Sequence, residues 1–198
     1  MKRADSKVKF TIQAGRLKHL NLNYNPNQGT RPTKSIVRES FFNTIGAQII
    51  DSVFIEAFAG CGSMGIEALS RGACKSIFYE LDKAAYDILC ENLALAQKRE
   101  PTLQFYAHNA DFFTQTLEDY QNTQVILYLD PPFCIREGKE GIYKRLIGKI
   151  ENLKEYDIAL IVFEHWSEYN MPHIIGAYRQ LKMRQFGKST LTYYTAKD

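Results

Sequence analysis

No apolar run in this chain approaches the ~20 residues that a membrane-spanning helix requires, and no segment repeats or falls into a low-complexity tract. A helical membrane protein and a solenoid are thereby excluded. The polar start Met1-Lys2-Arg3-Ala4-Asp5 has no hydrophobic region behind it, so no secretory signal is expected. Cysteine is sparse. Cys61, Cys74, Cys90 and Cys134 stand 13, 16 and 44 positions apart, which fits neither paired zinc-type spacing nor a small disulfide scaffold. They read as free thiols of a cytoplasmic protein. His19, His108, His165 and His173 show no ligand spacing either, and no metal is expected.

What the chain does have is enough apolar content for one core: 198 residues, 45% of them hydrophobic. Its net charge of +3 hides an asymmetry. Residues 1–40 hold nine Lys and Arg against Asp5 and Glu39, a local charge of +7 that leaves −4 for the remainder. A second basic group, Arg179, Lys182, Arg184 and Lys188, has no acid within 179–188. Two basic clusters on a mildly acidic body point to an anionic partner, with nucleic acid first. The phosphate contacts expected from the front of the chain are Arg16, Lys18, Arg31, Lys34 and Arg38.

Residues 8–12 and 17–22 alternate apolar and polar around Gln13-Ala14-Gly15-Arg16, which predicts a basic β-hairpin appended to the body. Thr33 can cap a helix to about residue 47 with Ile36, Val37, Phe41 and Ile45 inward. From residue 52 strand-like and helical patterns alternate: strands at 52–58, 75–80, 103–107, 124–129 and 157–164, helices at 63–71, 83–98, 111–120 and 139–150. That order predicts an α/β protein with a mostly parallel sheet and right-handed crossovers. Residues 178–186 and 189–195, joined at Gly187-Lys188, predict a closing antiparallel hairpin.

The first strand of the alternation runs into Ala59-Gly60-Cys61-Gly62-Ser63-Met64-Gly65, a GxGxxG turn between strand and helix. Glycines let the backbone approach a ligand, and the following helix start offers unpaired amides. The next strand ends at Glu80, 15 residues after Gly65, where a carboxylate can accept from both ribose hydroxyls. An adenosine-containing ligand follows, either a dinucleotide or S-adenosylmethionine. For the latter, Glu56 offers a countercharge to the cationic amino-acid end.

The fourth strand ends in Asp130-Pro131-Pro132-Phe133. Paired prolines cannot extend a ladder, so they form a stiff extended lip that presents Asp130, the Pro131 carbonyl and the Phe133 ring to one flat molecule. A carboxylate and a carbonyl only accept, which suits an amino group with two hydrogens, and the ring suits stacking by a heteroaromatic base.

Arg31-Pro32-Thr33, Val37-Arg38-Glu39 and Phe41-Phe42-Asn43, then Phe58 through Ala73, then Asp130-Pro131-Pro132-Phe133, together resemble the RsmD family, bacterial 16S ribosomal RNA guanine-N2 methyltransferases. The resemblance implies a class I methyltransferase fold, Rossmann-like, with a seven-stranded sheet, residues 31–198 forming that domain and 1–30 a small hairpin extension. It implies S-adenosylmethionine as cofactor and 16S ribosomal RNA, or a small-subunit assembly particle, as partner of a monomer. By motif position Glu56, Ala57, Phe58, Gly60, Gly62 and Gly65 would line the methionine end, Glu80 and Leu81 the ribose side, and Asn109 and Ala110 the adenine. Asp130, Pro131, Pro132 and Phe133 would hold the guanine. Many class I relatives carry Asp where this chain has Asn109, and nearby Asp111 can be a helix cap. Other planar amines in DNA or protein, an NAD-dependent oxidoreductase and a noncatalytic RNA-binding module stay open as alternatives.

Overall fold

The computed structural model describes residues 10–24, 35–117, 120, 123–132, 141–153 and 158–196. The strands are β1 Phe10–Thr11, β2 Asn21–Leu22, β3 Val53–Ala57, β4 Lys75–Tyr79, β5 Phe105–His108, β6 Val125–Leu129, β7 Ile158–Trp166, β8 Ile174–Ile175, β9 Tyr178–Phe186 and β10 Ser189–Ala196. The helices are α1 Ser35–Ile45, α2 Ser63–Arg71, α3 Lys83–Arg99 and α4 Gly141–Glu151. β1 and β2 form a separate two-stranded ladder, and the other strands form one sheet in the order β5-β4-β3-β6-β7-β10-β9-β8.

β5 through β7 are parallel, and β10 returns antiparallel on β7. The chain moves outward from β3 to β5 and then crosses back to place β6 on the other side of β3. The carboxyl ends of β3 and β6 therefore flank the point where the strand order reverses, the usual ligand crevice of open α/β sheets. β3 and β6 are buried along their whole length, as strands covered on both faces must be. Their alternate side chains feed two layers. Ile55, Leu127 and Phe163 join α4 in one cluster, while Phe54, Ile126, Tyr128 and Val162 join α1 on the opposite face.

The sheet carries one strand more than expected, the two-residue edge strand β8, which pairs only with Tyr178 and Arg179 of β9. Ile36 does not face inward; it is 59% exposed, and Phe42 takes a core place beside Val37, Phe41 and Ile45. Thr33 lies outside the described residues. The helix expected at 111–120 is a single 3-10 turn, Phe112–Thr114. Asp111 caps it by accepting from the Phe113 amide at 3.0 Å, and the Lys149 ammonium binds the carbonyls of Phe113 and Gln115 at 3.3 and 2.7 Å. Those carbonyls are acceptors that a further helical turn would use, and Gln115 to Leu117 carry no helical turn.

The described part of the front segment, residues 10–24, packs on the body. Among the described residues its ladder is two residues long, and the Gly15-to-Leu20 stretch coils back with His19 at φ 69. Ile12, Leu17 and Leu22, the residues that produced the alternating pattern, are fully buried against α2 and α3. The rest of the expected strand, Val8 and Lys9, lies outside the described residues.

Candidate active site

The turn between β3 and α2 has Phe58, Gly60 and Gly62 in the left-handed region, at φ 70, 54 and 78. Close packing fixes two glycines here. A Cβ on Gly62 would meet Leu89 at 2.4 Å, and one on Gly65 would meet the buried Phe78 ring at 2.3 Å. The helix start is thus drawn down onto β4. Ala59 donates its amide to the Tyr79 carbonyl at 2.9 Å, and Asn92, buried on α3, donates to the Cys61 carbonyl at 2.9 Å. The same Asn92 side chain accepts from the Asn23 amide at 2.7 Å, which ties the front segment to the turn.

Two acids brace this turn from below and beside. Glu56, on β3 and 4% exposed, accepts from the Gly65 amide at 2.7 Å and the Met64 amide at 3.3 Å. Burial pushes its carboxyl up to about 8, against the pull of those two amides towards the charged form. Glu80, at the end of β4, accepts from Gly60 at 2.7 Å through one oxygen and from Asp82 at 2.8 Å through the other. Burial raises its pKa as well, again opposed by the Gly60 and Asp82 amides. Each Glu80 oxygen retains a second lone-pair direction for a hydroxyl donor.

Beside Glu80, Leu81 is 66% exposed, a large apolar side chain left open at the rim of the crevice. Asn109 donates its amide to the carbonyls of Glu80 and Leu81 at 2.9 and 3.1 Å, and the Ala110 amide goes to the Glu80 carbonyl at 3.1 Å. Asn109 therefore fixes the rim, and the Ala110 amide is already committed. Asp111 is the cap of the 3-10 turn.

On the other side of the crevice, Leu129 pairs with Ala57, so Asp130 leaves β6 beside the point where Phe58 leaves β3. Asp130 and Pro132 are half-buried and Pro131 is buried. Phe133 lies outside the described residues. Expected cofactor and substrate residues thus meet at neighbouring strand ends, from four strands that are far apart in sequence. One acid went unnoticed in the sequence. Glu164, 4% exposed on β7, accepts from the Tyr128 hydroxyl at 2.8 Å, and its only signal was a charge directly after the apolar run 158–163.

The expected phosphate contacts divide. Arg38 is withdrawn from the set, being 2% exposed with its guanidinium 3.7 Å above the Phe10 ring. It donates to the Thr11 carbonyl at 3.1 Å and the Gln13 side chain at 3.3 Å, and stands 3.7 Å from Glu67. Arg16 and Lys18 are exposed, but Arg16 bonds the Ser70 and Leu69 carbonyls at the last turn of α2, a helix length from the glycine turn. Arg31 and Lys34 lie outside the described residues.

A family model described as "Conserved hypothetical protein 95" matches residues 10–195. Ribosomal RNA small subunit methyltransferase D of Escherichia coli K12 is 33% identical over 147 residues, covering 74% of this chain and 69% of that protein. The chain belongs to the RsmD family. The Haemophilus influenzae protein of the same name is 34% identical, covering 71% of this chain and 76% of its own length. The solved structure of a methyltransferase, yhhF, from Escherichia coli superposes with a TM-score of 0.76 at 26% identity, covering 96% of this chain and 99% of its own. A more distant likeness, of fold alone, is an RNA methyltransferase from Salinibacter ruber in complex with S-adenosyl-L-homocysteine. Its TM-score is 0.54 at 16% identity, and it covers 85% of this chain and 95% of its own. The fold is that of S-adenosylmethionine-dependent methyltransferases, α/β with a mostly parallel sheet and an antiparallel C-terminal hairpin.

Proposed function

We propose that this protein transfers a methyl group from S-adenosylmethionine to the exocyclic N2 amine of a guanine in 16S ribosomal RNA. The observation that carries this is the pairing of Ala57 with Leu129, which sets the glycine turn and the Asp130-Pro131-Pro132 lip side by side where the strand order reverses. Relatives named for small-subunit ribosomal RNA methylation supply the substrate class.

The residues present fit the cofactor. Leu81 offers an open apolar surface to an adenine, Glu80 two acceptor directions to a ribose, and Glu56 a buried carboxyl beneath the turn that an ammonium bound there would draw towards its charged form. When bound, S-adenosylmethionine would supply an electrophilic methyl on a sulfonium, its S–CH3 bond breaking to leave a neutral thioether as the N–CH3 bond forms. The protein's task is then to present the amine. The N2 lone pair is delocalised into the guanine ring, and Asp130 with the Pro131 carbonyl favours a pyramidal nitrogen by accepting its two hydrogens. The Phe133 ring would stack on the extruded base. The nitrogen becomes strongly acidic only as its new N–C bond forms, and its proton then leaves along the hydrogen bond to Asp130. Positioning and fixed charge supply most of the acceleration.

The partner is small-subunit RNA, naked or in an assembly particle, bound by a cytoplasmic monomer. Arg16 and Lys18 remain phosphate contacts in this reading, together with Arg31 and Lys34. The test is transfer of labelled methyl to hypomethylated small-subunit RNA, followed by mapping of the modified base. Asp130→Ala is expected to lower turnover by roughly 100-fold or more while cofactor affinity stays near wild type. Full activity in that variant, or a methyl placed on DNA or protein instead of RNA, overturns the assignment.

A further inference from the structure

Glu164 stands in a strand that is otherwise apolar from Ile158 to Phe163, and its carboxyl is as buried as the core around it. Burying a carboxylate is costly, so a role is called for. The register supplies one. Leu129 of β6 pairs with Phe163 of β7, which makes Asp130 and Glu164 the next lateral neighbours, on strands roughly 4.8 Å apart. Strand alternation sends both side chains to the same face: Ile126 and Tyr128 on β6, like Leu160 and Val162 on β7, pack on the α1 side, and Asp130 and Glu164 continue those two rows. β6 stops at Leu129 while β7 runs on to Trp166, so Glu164 borders the end of β6 rather than more of its ladder. Its carboxylate is also oriented. The Tyr128 hydroxyl donates to Oε2 at 2.8 Å, and the Tyr128 ring is itself locked between Phe41 and Phe54, at centroid distances of 5.2 and 6.2 Å.

Two acceptor groups side by side are complementary to two adjacent donors. An acid-Pro-Pro lip alone recognises an amine, and adenine, cytosine and guanine all have one. They differ in the next atom. In guanine the neighbour of the N2 amine on the Watson–Crick edge is N1–H, a donor, whereas in adenine and cytosine the neighbour of the amine is a ring nitrogen that only accepts. A carboxylate facing that ring nitrogen attracts the first and repels the others.

Resting on the function proposed above, we propose that Glu164 is the base-specificity residue of this enzyme, accepting the N1–H of the target guanine while Asp130 accepts from N2. Tyr128 acts through Glu164 as its positioning residue.

The test uses small-subunit RNA carrying either guanine or 2-aminopurine at the mapped position. 2-Aminopurine keeps the N2 amine but has an acceptor at N1. Wild-type protein is expected to prefer guanine in kcat/KM by roughly 10- to 100-fold, the usual discrimination of a paired polar contact. Glu164→Gln can turn its amide to donate to N1, so the preference should collapse towards unity or invert, with the KM for S-adenosylmethionine unchanged. Tyr128→Phe, which keeps the ring packing, should reduce the preference partway and serves if Glu164→Gln fails to fold. An unchanged guanine to 2-aminopurine ratio in either folded variant, or no discrimination by the wild type, overturns the inference. If the wild type methylates neither base, the underlying function fails, and this inference with it.

Discussion

Glu56 shows what a single buried side chain contributes at this site. Its carboxyl ionises near 4.5 in the unfolded chain and only at about 8 in the folded one, because burial outweighs two amide hydrogen bonds. The protonated form is therefore the one that folding favours. Its stabilising contribution is fully present below pH 4.5 and is lost as pH rises through about 8, over a span on the order of a few kcal/mol. Wild-type protein is expected to lose stability between pH 5 and pH 8.5 relative to Glu56→Gln, measured by urea unfolding of both at each pH. A constant offset between the two would report only the lost hydrogen bond to Met64 or Gly65. A gap that stays flat across that range would mean that Glu56 ionises normally. In sequence Glu56 was legible as a countercharge two residues before the turn, but its hold on the α2 amides was not, since that depends on which way β3 faces.

At the scale of the element, α2 is the member that organises its surroundings. Its Glu67 is fully buried and accepts from the amides of Gln13 and Ala14 at 2.8 and 3.1 Å, from Arg71 at 2.7 Å, and faces Arg38. Ser70 accepts from the Leu17 amide at 2.9 Å one turn later. The backbone amides of Gln13, Ala14, Arg16 and Leu17 are thus satisfied by a helix rather than by a partner strand. Glu67→Ala leaves the Arg38 cation buried without its carboxylate and should cost about 3–5 kcal/mol in urea unfolding, with hydrogen exchange at Gln13 and Ala14 accelerated. A loss below about 1 kcal/mol would place the tether elsewhere. The strands and helices from 52 onward were legible because periodicity and turn residues agree there; α2 falls at 63–71 as expected. The front segment was not, because buried Ile12, Leu17 and Leu22 give the same alternation whether they line a strand or pin a coiled stretch. Nor was the 3-10 turn at Phe112–Thr114 in place of the expected helix, where Lys149, more than 30 residues away, takes the carbonyls of Phe113 and Gln115.

At the scale of the whole molecule, the fold redistributes the basic residues that the sequence groups only by position. The tip at Arg16 and Lys18 lies at the final turn of α2, whose nine residues span roughly 13 Å from the glycine turn, beyond a Debye length of about 8 Å in physiological salt. The other basic group moves the opposite way. β10 begins at Ser189 opposite Trp166, the last residue of β7, and the Ser167 amide bonds the Lys188 carbonyl at 3.0 Å. The β9–β10 turn therefore stands at the same end of the sheet as Asp130, the carboxyl-end edge of its parallel strands, with Arg184 and Lys188 exposed and Arg184 reaching Ser40 of α1. An RNA whose guanine enters beside Asp130 must bring its flanking phosphates past this edge. Charge reversal by Arg184→Glu with Lys188→Glu is accordingly expected to weaken small-subunit RNA binding by roughly 10-fold or more and to flatten its salt dependence by about two phosphate contacts. Arg16→Glu with Lys18→Glu should have the smaller effect on both. Filter binding across a salt series distinguishes the two, and the reverse ranking would put the RNA path over α2, along the front segment, and away from the hairpin edge.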